Sequence, residues 1–182
     1  MKIRTLLTMA VIVVAAASIA MTYADETAPK KTGASVAAAQ FEQMKTLVGE
    51  WRGTGKHGEE IVEAIISYRL TAAGSVVMET MAAGTEFEMI TMYHLNGEEL
   101  MLTHYCALKN QPRMKATPSS DTSTIAFTYL DGTNMASDQV PHMHGVTFDF
   151  LGEDQIKTVW TMHADGAEQS HAKFSLKRVV KE

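Results

Sequence analysis

The chain has 182 residues, 46% of them hydrophobic and 20% charged, and 16 Lys and Arg are outnumbered by 21 Asp and Glu. This composition is typical of a globular protein, and the length suits one domain. The formal charge of −5, without a cluster of Lys and Arg, argues against a nucleic-acid-binding surface. The one cysteine, Cys106, excludes an internal disulfide and a metal site built from several cysteines.

The first 24 residues have the features of a bacterial signal peptide. Lys2 and Arg4 supply positive charge, and residues 6–20 form an apolar stretch of 15 residues. Thr22-Tyr23-Ala24 then offers a small-x-small cleavage site. A membrane-spanning helix needs about 20 apolar residues, so an uncleaved anchor is the less favoured alternative. We therefore expect export to the periplasm or beyond, with no membrane span after cleavage.

Cleavage after Ala24 would leave 158 residues, with 14 Lys and Arg against 21 Asp and Glu and a formal charge of −7. Residues 25–34, which include Pro29 and Gly33, predict a flexible tether. The folded domain is then expected over residues 35–182.

A short amphipathic helix is predicted over residues 35–48, since apolar residues recur there every three or four positions. After Trp51 this period is lost, and short apolar runs alternate with turn signals such as Asn96-Gly97 and Asp165-Gly166. We predict strands near 50–57, 61–70, 75–82, 86–95, 98–107, 112–117, 123–130, 141–150, 155–163 and 167–180.

The connections between these strands are too short for a crossover helix, which favours antiparallel pairing throughout. An open sheet of nine or ten strands would expose two edges, and closing the sheet removes both. The fold class is therefore predicted to be all-β, a closed up-and-down antiparallel barrel of about nine to ten strands with a short N-terminal helix. A two-sheet sandwich is the second choice.

A helix followed by Leu47-Val48-Gly49-Glu50-Trp51-Arg52-Gly53-Thr54-Gly55 and a meander of strands resembles the lipocalin-like (calycin) barrels. Residues 92–97, 102–106 and 110–114, and Pro141-His142-Met143-His144 with Trp160, are similar to small exported bacterial members of unknown function. The more distant resemblance is to nitrobindin. The resemblance spans about residues 40–178 and implies a barrel that encloses one small ligand.

Hairpin pairing indicates which side chains face the interior. If Asn96-Gly97 is a two-residue turn, Leu95 pairs with Glu98 and Met89 lies opposite His104. Because side chains alternate along a strand, one apolar face then carries eight residues and is the predicted interior. These residues are Phe87, Met89, Thr91, Tyr93, Leu100, Leu102, His104 and Cys106.

The same alternation applies to the strand at 141–150. His142 and His144 share a face with Val146, Phe148 and Phe150, opposite Ile156, Thr158, Trp160 and Met162. That face is rich in aromatic and aliphatic residues, so both histidines are predicted to point inward. One bulge would reverse them.

The last hairpin leaves two pairings for His171. A two-residue turn at Asp165-Gly166 pairs His171 with Trp160 and turns it inward. A three-residue loop pairs Ile156 with Phe174 and buries Phe174 and Leu176, each worth about 1.5–3 kcal/mol. The second pairing is favoured, with His171 outside.

These directions define a candidate ligand site. Its apolar lining is predicted from Phe87, Met89, Phe148 and Trp160, and its polar contacts from His104, Cys106, Arg113, His142 and His144. In Asn110-Gln111-Pro112-Arg113, the arginine would offer donors to a carboxylate or another anionic group, the alternative being an ordinary polar loop.

His104, His142 and His144 are also candidate metal ligands, because imidazole, with the Cys106 thiolate nearby, suits zinc or copper. The alternative is that these histidines bond to one another and to neighbouring hydroxyls at the rim of a pocket. The resemblance to nitrobindin implies a haem ligand near His171, although the residues around it differ.

We expect an exported protein that binds a small, partly apolar molecule at a histidine-rich end of the barrel cavity. A metal-binding protein or metal-dependent enzyme, a haem-binding barrel, and a partner-binding protein with an exposed apolar patch are the alternatives. No catalytic signature is recognised, so binding is favoured over catalysis by Cys106 with His142 or His144.

Overall fold

The computed structural model describes residues 36–180, and the predicted signal peptide and tether lie outside this range. One helix and ten strands follow each other in chain order, with a single 3-10 turn at Ala72–Gly74. They are α1 (Val36–Lys45), β1 (Gly49–His57), β2 (Glu60–Thr71), β3 (Val76–Met81), β4 (Met89–Asn96), β5 (Glu99–Tyr105), β6 (Gln111–Ala116), β7 (Thr124–Thr133), β8 (His142–Phe150), β9 (Gln155–Ala164) and β10 (Ala167–Arg178).

The ten strands form a closed antiparallel barrel in which each strand pairs with the next and β1 pairs with β10. The predicted fold class is confirmed, and the two-sheet sandwich is excluded. In residues 36–180, no helix has the length and apolar character that a membrane span requires.

Closure of the barrel depends on a close approach between β1 and β10. The two strands pair from Trp51 opposite Arg178 to His57 opposite Ala172. A Cβ atom added to Gly53 would lie 1.9 Å from the backbone oxygen of Ser175, far inside van der Waals contact. Only glycine fits at this position without moving the backbone of β10.

Helix α1 covers one end of the barrel. Its buried residues are Ala37, Gln40, Phe41 and Met44, and Gln40 Nε2 donates to the backbone oxygen of Thr117 over 2.9 Å. The loops between β1 and β2, β3 and β4, β5 and β6, β7 and β8, and β9 and β10 lie at the opposite end, called the far end below. Because the helix covers one end, the interior is reached from the far end.

Arg178 fastens the end of the helix to the barrel. Its guanidinium stacks 4.4 Å above the Trp51 ring and donates to the backbone oxygens of Thr46 and Val48 over 2.7 and 2.8 Å. Trp51 itself is 1% exposed, and its Nε1 donates to the oxygen of Leu47 over 2.7 Å. The Gly-x-Trp segment seen in the sequence thus anchors both the helix and the first strand.

Aromatic side chains fill the middle of the barrel. The rings of Tyr93, Phe127 and Phe148 pack with centroids 5.7 to 6.4 Å apart, in tilted and edge-to-face arrangements. Leu102, Met114 and Ile125 are completely buried in the same core. Phe148 is therefore a core residue, and space for a ligand has to lie nearer the far end.

The β4–β5 hairpin differs from the predicted pairing by two residues. Asn96 pairs with Glu99, so the turn is Gly97-Glu98, and Thr91, not Met89, lies opposite His104. A shift of two leaves every side chain on its predicted face, because side chains alternate with period two. Tyr93, Leu102 and His104 are accordingly buried.

The last hairpin follows neither of the two predicted pairings. Asp165-Gly166 is a two-residue turn, but the register shifts between Glu168 and Ser170. Ile156 therefore pairs with Leu176, and Thr158 pairs with Phe174. The bulge gives the faces expected for the longer loop, with Leu176 buried and His171 half-exposed beside Glu168.

We expect Gly53→Ala to lower the free energy of unfolding by about 3 kcal/mol or more, because the new methyl group meets backbone and not a movable side chain. The control is the exposed neighbour Thr54: Thr54→Ala should change the free energy of unfolding by less than about 1 kcal/mol. Urea unfolding of both variants measures the difference. A Gly53→Ala protein as stable as the wild type would contradict this account of closure.

Candidate functional site

A small cavity of about 40 Å³ lies inside the barrel toward the far end. Side chains from six strands enclose it, and all but one are apolar. They are Met81, Met89, His104, Met143, Trp160, Ala172 and Phe174. Three methionines give the cavity an adaptable wall, since the unbranched thioether side chain repacks easily.

His104 is the polar residue of this cavity, and it is 2% exposed. Its ring lies 4.7 Å from the Trp160 ring, and its Nδ1 is 2.9 Å from the hydroxyl oxygen of Thr91. Burial lowers the pKa of His104 to about 4, so the imidazole is neutral at physiological pH. Among the described residues, its Nε2 has no hydrogen-bond partner.

Three other buried polar atoms in residues 36–180 also have no partner. They are Tyr68 Oη, Asn110 Oδ1 and Thr158 Oγ1, and none belongs to a residue that lines the cavity. His104 is therefore the cavity-lining residue that carries an unsatisfied polar atom.

The Thr91 hydroxyl links His104 to a buried carboxyl group, that of Glu79. Glu79 is 2% exposed and accepts hydrogen bonds from the Tyr93 hydroxyl over 2.9 Å and from the Thr91 hydroxyl over 3.3 Å. Burial raises the pKa of the Glu79 carboxyl, and the neighbouring hydroxyls oppose part of that rise. The hydroxyl of Tyr68 is buried near this carboxyl without a hydrogen bond of ordinary geometry, and burial raises its pKa as well.

Glu79 was not among the residues singled out from the sequence. Its signal was the alternation in β3, where Val77, Glu79 and Met81 occupy one face, the first completely buried. A glutamate in phase with apolar neighbours predicts a buried carboxyl.

A bulge in β8 interrupts the alternation from which His142 and His144 were predicted to point inward. Met143 pairs with Met162 and Gly145 with Thr161, which leaves His144 as an extra residue. Met143 lines the cavity, whereas neither His142 nor His144 does, although His142 is buried at 1% exposed.

His142, His144, His163 and Tyr129 form what we call the histidine cluster. His142 Nδ1 lies 2.7 Å from the oxygen of Val140, and its Nε2 lies 3.0 Å from His144 Nδ1. The rings of His144 and His163 stack 3.7 Å apart and nearly parallel, and Tyr129 packs on both His142 and His144. Burial, His163 and His142 lower the pKa of His144. Both ring nitrogens of His142 thus have partners, and His144 and His163 are joined by ring stacking.

The structure does not bring the three candidate metal ligands together. Within residues 36–180, no group of three or more His, Cys, Asp or Glu side chains is arranged to hold a metal ion. His104 lies in the cavity with Thr91 and Trp160, whereas His142 and His144 belong to the histidine cluster.

Two further candidate residues lie outside the cavity. Phe87 is 61% exposed, because β4 begins only at Met89 and the preceding residues form a turned loop. Arg113 lies on the outer face of β6 and pairs with Asp131 through Nε over 2.6 Å and through Nη2.

Cys106 follows the end of β5 and is half-buried, outside the cavity lining. Its backbone N–H donates to the oxygen of Asn110 over 3.1 Å, and burial raises the pKa of its thiol. Of the predicted ligand residues, Met89, His104 and Trp160 line the cavity.

A wider groove adjoins the cavity. It measures about 440 Å³ and is lined by residues 62–65 of β2, by Ala82, Ala83 and Thr85 of the β3–β4 loop, and by two side chains that also line the cavity. These two are Met81 and Phe174. The cavity and the groove therefore share part of their lining.

No protein-family model and no curated protein matches this sequence. The fold is similar to that of a protein of unknown function from the DUF3598 family of Nostoc punctiforme PCC 73102, with a TM-score of 0.52 and 17% identity. The match covers 75% of this chain, which spans about half the length of that protein (49%). It is also similar to Rv2717c of M. tuberculosis, with a TM-score of 0.50, 17% identity and coverage of 79% of this chain and 99% of the other.

At this level of identity, these similarities show the fold alone. Neither protein is named as a lipocalin, so the resemblance inferred from the sequence is supported as far as the ten-stranded barrel.

The lowered pKa of His104 predicts a loss of stability in acid. In the unfolded chain the imidazole takes up a proton below about pH 6.5, whereas the folded protein resists protonation down to about pH 4. His104 therefore stabilises the fold above pH 6.5, and about 2–3 kcal/mol of the free energy of unfolding is lost as pH falls to 4.5.

His104→Leu should remove this share of the pH dependence, measured by urea unfolding at pH 7.5 and 4.5. His94→Leu, on the outer face of β4, is the control and should keep it. The raised pKa of Glu79 acts in the opposite direction, since its contribution is lost as pH rises above about 4.5, and it is common to all three proteins. Equal pH dependence in His104→Leu and the wild type would contradict the prediction.

Proposed function

We propose that this protein is an exported barrel that binds a small, mainly apolar molecule in the far-end cavity and holds one polar atom of it on Nε2 of His104. One observation supports this proposal above the others: among the residues that line the otherwise apolar cavity is a buried, neutral imidazole with an unpartnered nitrogen. A buried polar group without a partner costs about 1–3 kcal/mol, and a ligand that supplies the missing bond recovers that cost.

The size of the cavity limits the ligand. A volume of about 40 Å³ accommodates only a few heavy atoms, since one water needs about 10–15 Å³. A larger ligand needs space from the adjoining groove, whose 440 Å³ falls in the range of small-molecule sites. We propose that Met81 and Phe174 move aside to admit the ligand, because both side chains line the two spaces.

Several observations favour apolar binding over the alternatives. The cavity is far too small for a haem, and His171 lies on the outer face of β10, 3.3 Å from Glu168. Burial raises the pKa of Cys106, which is the opposite of what an activated thiolate requires. Export rests on the charged, apolar and small-residue segments of residues 1–24, which lie outside the described range.

The test is a titration of the 13C-methyl methionine protein with four small probes: pyrrole, phenol, furan and pyridine. We expect at least one probe to shift the methyl signals of Met81, Met89 and Met143 and the emission of Trp160, since these residues line the cavity. His104→Leu should weaken that binding about five- to tenfold, as expected for the loss of one hydrogen bond.

His94→Leu should bind as the wild type does, because His94 lies on the outer face of β4. If none of the four probes perturbs the cavity methionines, or if His104→Leu binds them all unchanged, the proposed function is wrong.

A further inference from the structure

Four polar side chains form a row across the inner wall of the barrel. Tyr68 of β2 pairs with Glu79 of β3, Glu79 pairs with Thr91 of β4, and Thr91 pairs with His104 of β5. All four are buried. Residues directly opposite each other on neighbouring strands have their side chains in contact range. We call this set the polar row; it ends at the cavity, where His104 presents its free Nε2.

The row gives the hydrogen bonds a direction. When the Glu79 carboxyl is ionised it can only accept, so the Tyr93 and Thr91 hydroxyls then both donate to it. Thr91 has a single hydroxyl proton. When that proton is used in the hydrogen bond to Glu79, the hydroxyl oxygen can only accept a hydrogen bond from His104 Nδ1. The separation of 2.9 Å between Thr91 Oγ1 and His104 Nδ1 is that of an ordinary N–H···O bond.

The distance of 3.3 Å between Thr91 Oγ1 and Glu79 Oε1 is long for a hydroxyl donor, but the acceptor is a buried carboxyl whose ionised form this hydrogen bond stabilises. The groups that face the carboxyl are Tyr68 from β2 and Thr91 and Tyr93 from β4, with no cation among the described residues that act on it. Hydroxyl protons are therefore its main stabilisation, and Thr91 supplies one of them.

We propose that Glu79, acting through Thr91, is a positioning residue that holds His104 as the Nδ1–H tautomer, so that the cavity selects apolar ligands carrying a hydrogen-bond donor. A neutral imidazole with its proton on Nδ1 has a lone pair on Nε2, so Nε2 of this cavity-lining residue is an acceptor without a partner among the described residues. This inference rests on the proposed function and adds the class of ligand: a small apolar body with one N–H or O–H group.

The tautomer is tested without any ligand. Long-range 1H–15N correlation spectra at pH 8, well above the ordinary pKa of a glutamate carboxyl, should show His104 protonated on Nδ1. Thr91→Ser keeps the hydroxyl and should keep this signature. Thr91→Val has nearly the same shape without the hydroxyl, and His104 should shift toward the Nε2–H form. Tyr93→Phe removes the other donor to Glu79 and should leave the His104 tautomer unchanged.

Ligand selection is tested with pyrrole and furan, two rings of similar size of which only pyrrole carries an N–H. The wild type and Thr91→Ser should bind pyrrole about fivefold or more tightly than furan, and Thr91→Val should lose that preference. Tyr93→Phe should retain it.

The outcomes separate the two proposals. An Nε2–H tautomer in the wild-type spectrum overturns the role of Glu79 and Thr91 whether or not a probe binds, and it needs no variant to fold. Equal binding of pyrrole and furan by the Nδ1–H protein overturns the ligand class. Absence of binding by all four probes, with the Nδ1–H tautomer intact, overturns the proposed function and leaves the tautomer assignment standing.

Discussion

The pairing of β1 with β10 is the constraint on which the rest of this structure depends. Without it both strands would be open edges, and the six strands that surround the cavity would not enclose a space. The close approach at Gly53 permits the pairing, and Arg178, at the end of β10, holds the end of the helix through the oxygens of Thr46 and Val48. Closure of the barrel and covering of one of its ends are thus achieved at the same strand pair.

Covering one end determines where chemistry can occur. The helix and the aromatic cluster of Tyr93, Phe127 and Phe148 fill the interior up to its middle, so the remaining space lies at the far end. The polar row lies at the boundary between the filled interior and the cavity. Glu79 is in the packed part and His104 is at the cavity. A buried carboxyl among apolar residues is costly, and its hydrogen bonds to hydroxyls extend the influence of that charge to the edge of the cavity.

The fold and most inward faces could be predicted from the sequence, because alternation and turn residues are local signals. A wrong partner for His104 did no harm, since the error was two residues and preserved its face. Bulges are different. Each shifts the register by one residue, and neither Pro141-His142-Met143-His144 nor Glu168-Gln169-Ser170 marks the extra residue in its composition. The cavity is therefore lined by Met143 where His142 and His144 were predicted. Phe87 lies outside it, because the start of β4 depends on loop contacts.

The number of histidines in a region is a weaker guide to function than the partners of each nitrogen. In the histidine cluster, His142 uses both ring nitrogens, one with Val140 and one with His144, and the faces of His144 and His163 are covered by stacking. Such an arrangement rigidifies the wall and needs no ligand. His104 has one nitrogen bonded and the other facing an apolar space, and burial keeps its imidazole neutral. A buried polar atom without a partner gains from a single added hydrogen bond. Binding is therefore expected at His104 and not at the histidine cluster.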